Sequence, residues 1–515
     1  MLDSGDTVRH RELGTGRILR REGSRFKVRF GSLAFPVLLS ARELTPYHTA
    51  QAKPVPARHE DPDKAPRSDL PAIPSAGWAR EAPLDTPRGW GRRVLEACRY
   101  GILEGGHVLE LTVGRETELA AFEKSLTAVD QRGSAWGVIG DYGSGKSHLL
   151  ALLAETARSK GFLTSHITID PLELKPCNPK RLYRSLVTQL RYPDRSHSGE
   201  GLAPLLDLAT EDEAWKSVAQ ILVSLAGEGH RYLSSILLLW RQQRTTLKED
   251  FVEWARTGLA WIEAQDDVST VYIKDMVRRN ESLRDLFPAL PDHRTRSHTF
   301  TYILTGISTL ARVLGYKGLV VLLDEAEYHE RLRGEDRGFS DDFFARLLYA
   351  GLNPRTGLLA DYETSAYRGG GVTTRREPSI FRHPSGLVPI IAATPGTGIA
   401  GRIQRFLGLD QIFEVQPLRS ADVHHLIARL ADLYWQAYAE SANGSWPKEV
   451  TRPRYDEAVG SIQQIARGWL RETPENVVRP IIRATVHVLD LLRHRRIDPR
   501  SAGDGWRRAD GFGDF

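Results

Sequence analysis

The sequence predicts an α/β protein: a parallel sheet flanked by helices, with a helical insertion and a C-terminal helical lid, preceded by a small all-β barrel. Three observations carry this prediction. The run Gly140-Asp-Tyr-Gly-Ser-Gly-Lys-Ser147 is a glycine-rich loop between an apolar stretch and a helical pattern, the strand–loop–helix unit of a phosphate-binding site. Residues 318–325 and 386–396 are further apolar runs without alternation, as expected of strands covered on both faces. Between the loop and the first of these runs, apolar residues recur three and four apart, the spacing of amphipathic helices.

Composition bounds the rest. A chain of 515 residues has room for two to four domains, and 41% hydrophobic with 26% charged residues is ordinary for a globular protein. No apolar run approaches the ~18 residues of a membrane span, and Met1-Leu-Asp-Ser-Gly-Asp is not a secretory leader, so a cytoplasmic protein without membrane contact is expected. Cys98 and Cys177 are the only cysteines, which excludes a disulfide framework or a cysteine-built zinc site. The net charge of +5 is compatible with nucleic-acid contact but weak against 65 acidic residues, and a GC-rich genome explains the arginine excess equally well.

Taken in order, residues 3–47 hold short alternating runs, Thr7-Val-Arg-His, Gly16-Arg-Ile-Leu-Arg, Arg25-Phe-Lys-Val-Arg-Phe and Phe35-Pro-Val-Leu-Leu, separated by polar or glycine turns. Four or five strands in that length predict an SH3-like barrel over residues 1–48. With nine basic and five acidic residues it is locally basic. The arrangement resembles the Tudor-like modules of bacterial helicases and transcription-coupling proteins, which bind DNA or a protein; a merely solvated charged face is the alternative. Residues 49–77 are proline-rich and charged, and predict a disordered tether that lets the barrel search the space around the main body.

An ATPase-type core is predicted over 78–415. Residues 87–101 have helical spacing, and Val113-Gly-Arg-Glu precedes the glycine-rich loop by about 25 residues. In the loop, Gly140, Gly143 and Gly145 let backbone N–H groups face phosphate oxygens where a β-carbon would clash. Asp141, Tyr142 and Ser144 complete the loop, and His148 opens the helix whose N-terminus faces the anion. Lys146 can reach the β- and γ-phosphates and Ser147 can hold Mg²⁺. Residues 162–170 predict the second strand. Helices follow over 182–190, 214–225, 232–243 and 251–262, and the stretch 190–297 reads as an insertion free to meet a partner. A helix over 298–314 leads to Leu319-Val-Val-Leu-Leu-Asp-Glu325, a Walker B pattern. There Asp324 would hold Mg²⁺ through water, and Glu325 would polarise the water that attacks the γ-phosphate. Glu327 lies beyond the strand tip. Residues 353–385 predict a flexible loop.

The strand at 386–396 ends in the polar residue Thr394, the position at which the AAA+ proteins that this chain resembles carry a sensor of the γ-phosphate or the attacking water. That resemblance also implies an arginine finger for a neighbouring subunit at Arg402 or Arg405, although surface arginines on a helix are more often simply solvated. A helical lid is predicted over 416–496 from patterns at 422–438, 455–470 and 475–493, with Thr473-Pro474 as cap and first-turn pair. Arg479 lies near the position of a second sensor in the AAA+ proteins, although the surrounding pattern differs from theirs. Residues 497–515 predict a disordered tail.

The chain resembles the AAA+/STAND-like P-loop ATP-binding proteins of BREX-type bacterial phage-defence systems. The resemblance rests on Arg93-Val-Leu-Glu-Ala-Cys-Arg-Tyr-Gly101, Val113-Gly-Arg-Glu116, Gly140-Asp-Tyr-Gly-Ser-Gly-Lys-Ser-His-Leu149 and Leu322-Leu-Asp-Glu-Ala-Glu327. Ala392-Ala-Thr-Pro-Gly396, Arg471-Glu-Thr-Pro-Glu-Asn476 and Leu489-Asp-Leu-Leu492 extend it over about residues 85–495. It implies ATP as the nucleotide, a DNA-linked ATPase with other defence-system proteins as partners, and a homo-oligomer. The DNA would be double-stranded and bound without sequence preference. A nucleotide-switched scaffold with slow hydrolysis, or a replication- or transposition-type loader, are the alternatives.

Overall fold

The computed structural model describes the five strands of an N-terminal unit by their backbone. Beyond it, it describes residues 87–101, 108–129, 133–193, 200–223, 229–246, 249–278, 287–288, 290, 297–352, 378–438, 446–447, 450–472, 478–494 and 496–502. The tether at 49–77, most of the loop at 353–385, the Thr473-Pro474 pair and residues 503–515 of the tail lie outside the described residues. The chain divides into two compact units, Met1–Ala76 and Gly77–Phe515.

In the first unit, β1 (Thr7–His10), β2 (Gly14–Glu22), β3 (Arg25–Phe30), β4 (Val37–Ser40) and β5 (Thr45–Pro46) form one antiparallel sheet in the order β4-β3-β2-β1-β5. The alternating runs of the sequence map onto β1 to β4. The pairing of β2 with β3 shifts between Ile18 and Arg20, a bulge-like irregularity in the longest strand.

The second unit is built on a five-stranded, fully parallel sheet ordered β10-β6-β9-β8-β7. Its strands are β6 (Trp136–Ile139), β7 (Leu163–Thr168), β8 (Leu319–Asp324), β9 (Leu387–Ala393) and β10 (Ile412–Glu414). The helices of the first half are α1 (Pro87–Arg99), α2 (Val108–Leu111), α3 (Glu116–Thr127), α4 (Lys146–Ser159) and α5 (Pro179–Thr188). Then come α6 (Ala203–Ala209), α7 (Asp212–Leu222), α8 (Leu233–Thr245), α9 (Glu249–Ile262) and α10 (Thr270–Met276). The second half holds α11 (Ser297–Val313), α12 (Gly334–Leu352), α13 (Gly398–Phe406), α14 (Ser420–Tyr438), α15 (Arg452–Glu472) and α16 (Val478–Arg493). No described helix is long and apolar enough to cross a membrane.

Strand periodicity sorts the sheet's two faces. Val138, Val320, Leu322, Val388, Ile390 and Ala392 pack on one face against α3 and α4. Leu319, Val321, Leu323, Leu387 and Ile391 pack on the other against α11, α12 and α13. With both faces covered, β8 and β9 are buried at every residue, which is why they read as unbroken apolar runs.

Two features differ from the sequence expectation. The stretch read as a free insertion is not separate: Leu205, Val218, Leu222, Leu237 and Trp261 share one core with Leu163, Ile167 and Phe300 of the sheet layer. Its helices turn their apolar faces toward the sheet layer. Second, α1 lies within the region assigned to that core, yet its apolar face packs with the C-terminal helices. Val94, Leu95 and Cys98 sit among Leu430, Tyr434, Ile482 and Leu489. Arg99 donates two hydrogen bonds to Asp490, at 2.8 and 2.9 Å, and clamps α1 to α16.

Candidate functional site

The order of the sheet decides which residues meet. Because β9 lies between β6 and β8, the residues just past the ends of these three strands stand side by side. Gly140 follows β6, Thr394 follows β9, and Asp324 and Glu325 close β8. Crevices at the carboxyl ends of parallel strands are where such folds bind ligands.

The loop after β6 turns into α4 through Gly145, whose φ of +98° is open to glycine but strained for other residues. Gly140 is needed for a different reason: a β-carbon there would come 2.5 Å from Ser144 Oγ and 2.9 Å from Val415. The loop therefore folds tightly over the start of α4, leaving that helix end to face a cavity of about 410 Å³. Tyr142, Gly143, Ser144, Gly145, Lys146, Ser147 and His148 all line it, as does Glu325. Asp141 contributes its carbonyl oxygen to Lys146 rather than a wall.

Lys146 is buried. Its Nζ donates to the carbonyls of Gly140 at 2.8 Å and Asp141 at 3.2 Å, and to Thr394 Oγ1 at 3.4 Å. Thr394 in turn donates to Glu327 Oε1 at 2.6 Å, and that oxygen lies 4.0 Å from Lys146 Nζ. Lys146, Thr394 and Glu327 thus form one triangle. Asp324 is buried at the strand end, where its Oδ1 accepts from the Glu325 backbone N–H at 2.9 Å. Glu325 adopts φ +59°, a left-handed conformation uncommon for a residue with a side chain. Burial raises its carboxyl pKa, and the neighbouring charges of Glu327 and Asp324 raise it further, against Lys146 and Arg479.

A second group ties the loop to the segment after β10. Arg115, from the Val-Gly-Arg-Glu turn, is buried and donates to Glu118 at 3.1 Å, to the Ser144 carbonyl at 3.4 Å and to the Gln416 carbonyl at 3.0 Å. His148 Nε2 lies 2.8 Å from Thr112 Oγ1. Burial, with Arg115 nearby, lowers the His148 pKa to about 4, so the ring is neutral at pH 7. The opposite wall comes from the C-terminal helices and the segment before them: Leu418, Leu426, Val478 and Ile482 line it with Leu111 and Val113. Arg479 also lines the cavity, its guanidinium carbon 6.0 Å from the Tyr142 ring centre.

Residue chemistry fits a polyphosphate nucleotide. The helix end, Lys146 and the Ser147 hydroxyl suit an anion with a hard cation, and the apolar wall suits a base. Ser144 Oγ, His148 Nδ1, His166 Nε2 and Glu327 Oε2 are buried without a hydrogen-bond partner, and all belong to residues that line the cavity or touch Lys146. Unmet polar atoms cost about 1–3 kcal/mol each, and these four stand where a polar ligand could satisfy them.

Arg402 and Arg405 are not among the residues lining this cavity. Arg402 pairs with Asp341 at 2.5 Å, and Arg405 Nε donates to its own helix at the Gly401 carbonyl, 3.2 Å away. Sequence reasoning missed the roles of Arg115 and Glu327 and of the β7 side of the cavity, where His166, Thr164 and Arg191 stand. A glutamate two residues past Glu325 was the available signal for Glu327. For β7 the signal was a run of polar residues, Thr164, Ser165 and His166, in a strand otherwise expected to be apolar.

Fold and cavity together are those of an α/β protein with a P-loop-like nucleotide site. Residues 90–209 match the family model described as BREX system ATP-binding protein BrxC/D. That stretch runs from α1 through the loop, α4 and β7 to the end of α6, and it supports an ATP-binding protein of the BREX type. Neither the curated proteins nor the solved structures gave a match.

Proposed function

We propose that the chain is a Mg²⁺-dependent, AAA+-like ATPase that acts as a DNA-coupled motor or switch in a bacterial phage-defence system. The observation that carries this reading is the meeting of Lys146, Thr394 and the Asp324–Glu325 pair at three adjacent strand ends. Gly143 to Ser147 would hold the phosphates with backbone N–H groups, and Lys146 would neutralise the β- and γ-oxygens. Ser147 and Asp324 would hold Mg²⁺, which supplies charge neutralisation between the β- and γ-phosphates. Glu325, kept basic by its raised pKa, would orient and polarise the attacking water, with Thr394 fixing its position. Arg479 reaches the cavity from the lid and would close it over the phosphates. The N-terminal sheet, read as an SH3/Tudor-like barrel, would bring the ATPase to duplex DNA in the cytoplasm.

The alternative is a switch, a scaffold that recruits other defence proteins and hydrolyses slowly. Neither Arg402 nor Arg405 lines its own chain's cavity, so as arginine fingers they would act only on a second copy in a homo-oligomer. Turnover of MgATP by the wild type, Lys146→Ala and Glu325→Gln, with and without duplex DNA, tests both readings. Both variants lose hydrolysis while Glu325→Gln still binds ATP; retained turnover in both removes the ATPase assignment. DNA coupling requires that duplex raise turnover, and that loss of residues 1–76 weaken DNA binding, most visibly at low salt. ATP-dependent capture of partner proteins without DNA stimulation would instead select the scaffold.

A further inference from the structure

The triangle at Lys146 holds one member that the hydrolysis scheme does not use. Glu327 Oε1 accepts the Thr394 hydroxyl at 2.6 Å and lies 4.0 Å from Lys146 Nζ, while its second oxygen is buried without a partner. Glu325 makes this possible: its left-handed φ of +59° reverses the chain past β8, so the turn Ala326–Arg331 brings Glu327 back to the strand ends.

Lys146 and Thr394 are the two donors that a γ-phosphate would engage under the function proposed above, on which this inference rests. Two anions cannot share them at this distance without strong repulsion. We propose that Glu327 is a γ-phosphate sensor, a positioning carboxylate that competes with the terminal phosphate for Lys146 and Thr394 and withdraws when a nucleoside triphosphate binds. A diphosphate ends short of the triangle and leaves Glu327 where it is.

The withdrawal has somewhere to go. On the same turn, Glu330 Oε1 accepts the backbone N–H of Ile399 at 3.2 Å, in the first turn of α13, and Glu330 Oε2 accepts from Arg337 at 2.9 Å. His329 Nδ1 lies 3.0 Å from Ser340 Oγ on α12. Displacing Glu327 therefore pulls on the start of α13, the helix that carries Arg402 and Arg405. The γ-phosphate would thus be read at Lys146 and reported at Arg402 and Arg405, which do not line the cavity.

Titration calorimetry of the full chain with MgATP and MgADP tests this. Glu327→Gln removes the charge but keeps an oxygen for Thr394. It should bind MgATP about tenfold tighter than the wild type, a change of ~1.4 kcal/mol, with MgADP affinity changed less than about twofold. Glu327→Ala must shift the ATP-to-ADP preference in the same direction. An unchanged or reduced ATP-to-ADP preference in both variants overturns the proposal. Lys146→Ala separates this from the parent reading: if it binds MgATP like the wild type, the nucleotide site itself is misassigned. If it loses MgATP while the Glu327 variants keep the wild-type preference, only the sensor fails.

Discussion

Arg115 joins three parts of the chain that are far apart in sequence, so replacing it by alanine should act on fold and site together. The guanidinium is buried, and its hydrogen bonds run to the Glu118 carboxylate and to the carbonyls of Ser144 and Gln416. Removing one partner of a buried, hydrogen-bonded charge pair costs about 3–5 kcal/mol, chiefly because the remaining groups stay unpaired. Glu118 is 17% exposed and can recruit some water, so the lower end, about 3 kcal/mol, is expected. Against a usual total of about 5–15 kcal/mol, the variant still folds. The Ser144 carbonyl is also freed, so the phosphate loop loosens and MgATP affinity should fall by about tenfold. All eleven tryptophans lie beyond residue 76, so urea denaturation followed by tryptophan fluorescence reports the larger unit alone. Arg115→Lys keeps the charge but cannot fork to three acceptors, and should fall between wild type and Arg115→Ala. His148 supplies an independent reading: its pKa near 4 is held down partly by Arg115 and should rise in Arg115→Ala, as seen by NMR titration. A loss below about 1 kcal/mol with unchanged ATP affinity would refute the view that Arg115 clamps the loop.

Gly145→Ala isolates conformational strain, since a β-carbon there would meet nothing nearer than Arg115 Nη2 at 4.0 Å. The left-handed backbone alone should cost about 1–2 kcal/mol in urea denaturation, and a neutral result would contradict the φ of +98°. Asp490→Asn tests the clamp of α1 on the lid. Burial pushes the Asp490 carboxyl pKa up, but hydrogen bonds from Arg99 and Tyr434 outweigh it and hold the pKa below the usual range. Its stabilising contribution is therefore complete above about pH 4 and is lost as pH falls through the lowered native value. The wild-type advantage over Asp490→Asn, about 1.5–3 kcal/mol at pH 7, should shrink as pH falls below about 4, and an advantage independent of pH would oppose the assignment.

What could be read from the sequence was whatever short stretches determine by themselves. The loop at 140–147 declares itself because phosphate binding fixes glycines and a lysine at set spacing, and β8 and β9 do so because two covered faces demand continuous apolar residues. β10 escaped because three residues, Ile412 to Glu414, are too few to show a period. The grouping of α1 with the lid depends on Arg99 meeting Asp490 from 391 residues away, and no local pattern contains that. Glu327 is the most instructive miss. Extending the β8 period beyond Glu325 carries the next acid away from the site, and that extrapolation fails at one residue, because Glu325 turns left-handed. Such a conformation in a glutamate costs about 1–3 kcal/mol unless surrounding contacts enforce it. Here the contacts are the Thr394–Glu327 hydrogen bond and the Glu330–Ile399 bond on the returning turn. The strain at Glu325 and the position of Glu327 are thus one structural fact, and a ligand that displaced Glu327 would also relax the backbone of the residue proposed to polarise water.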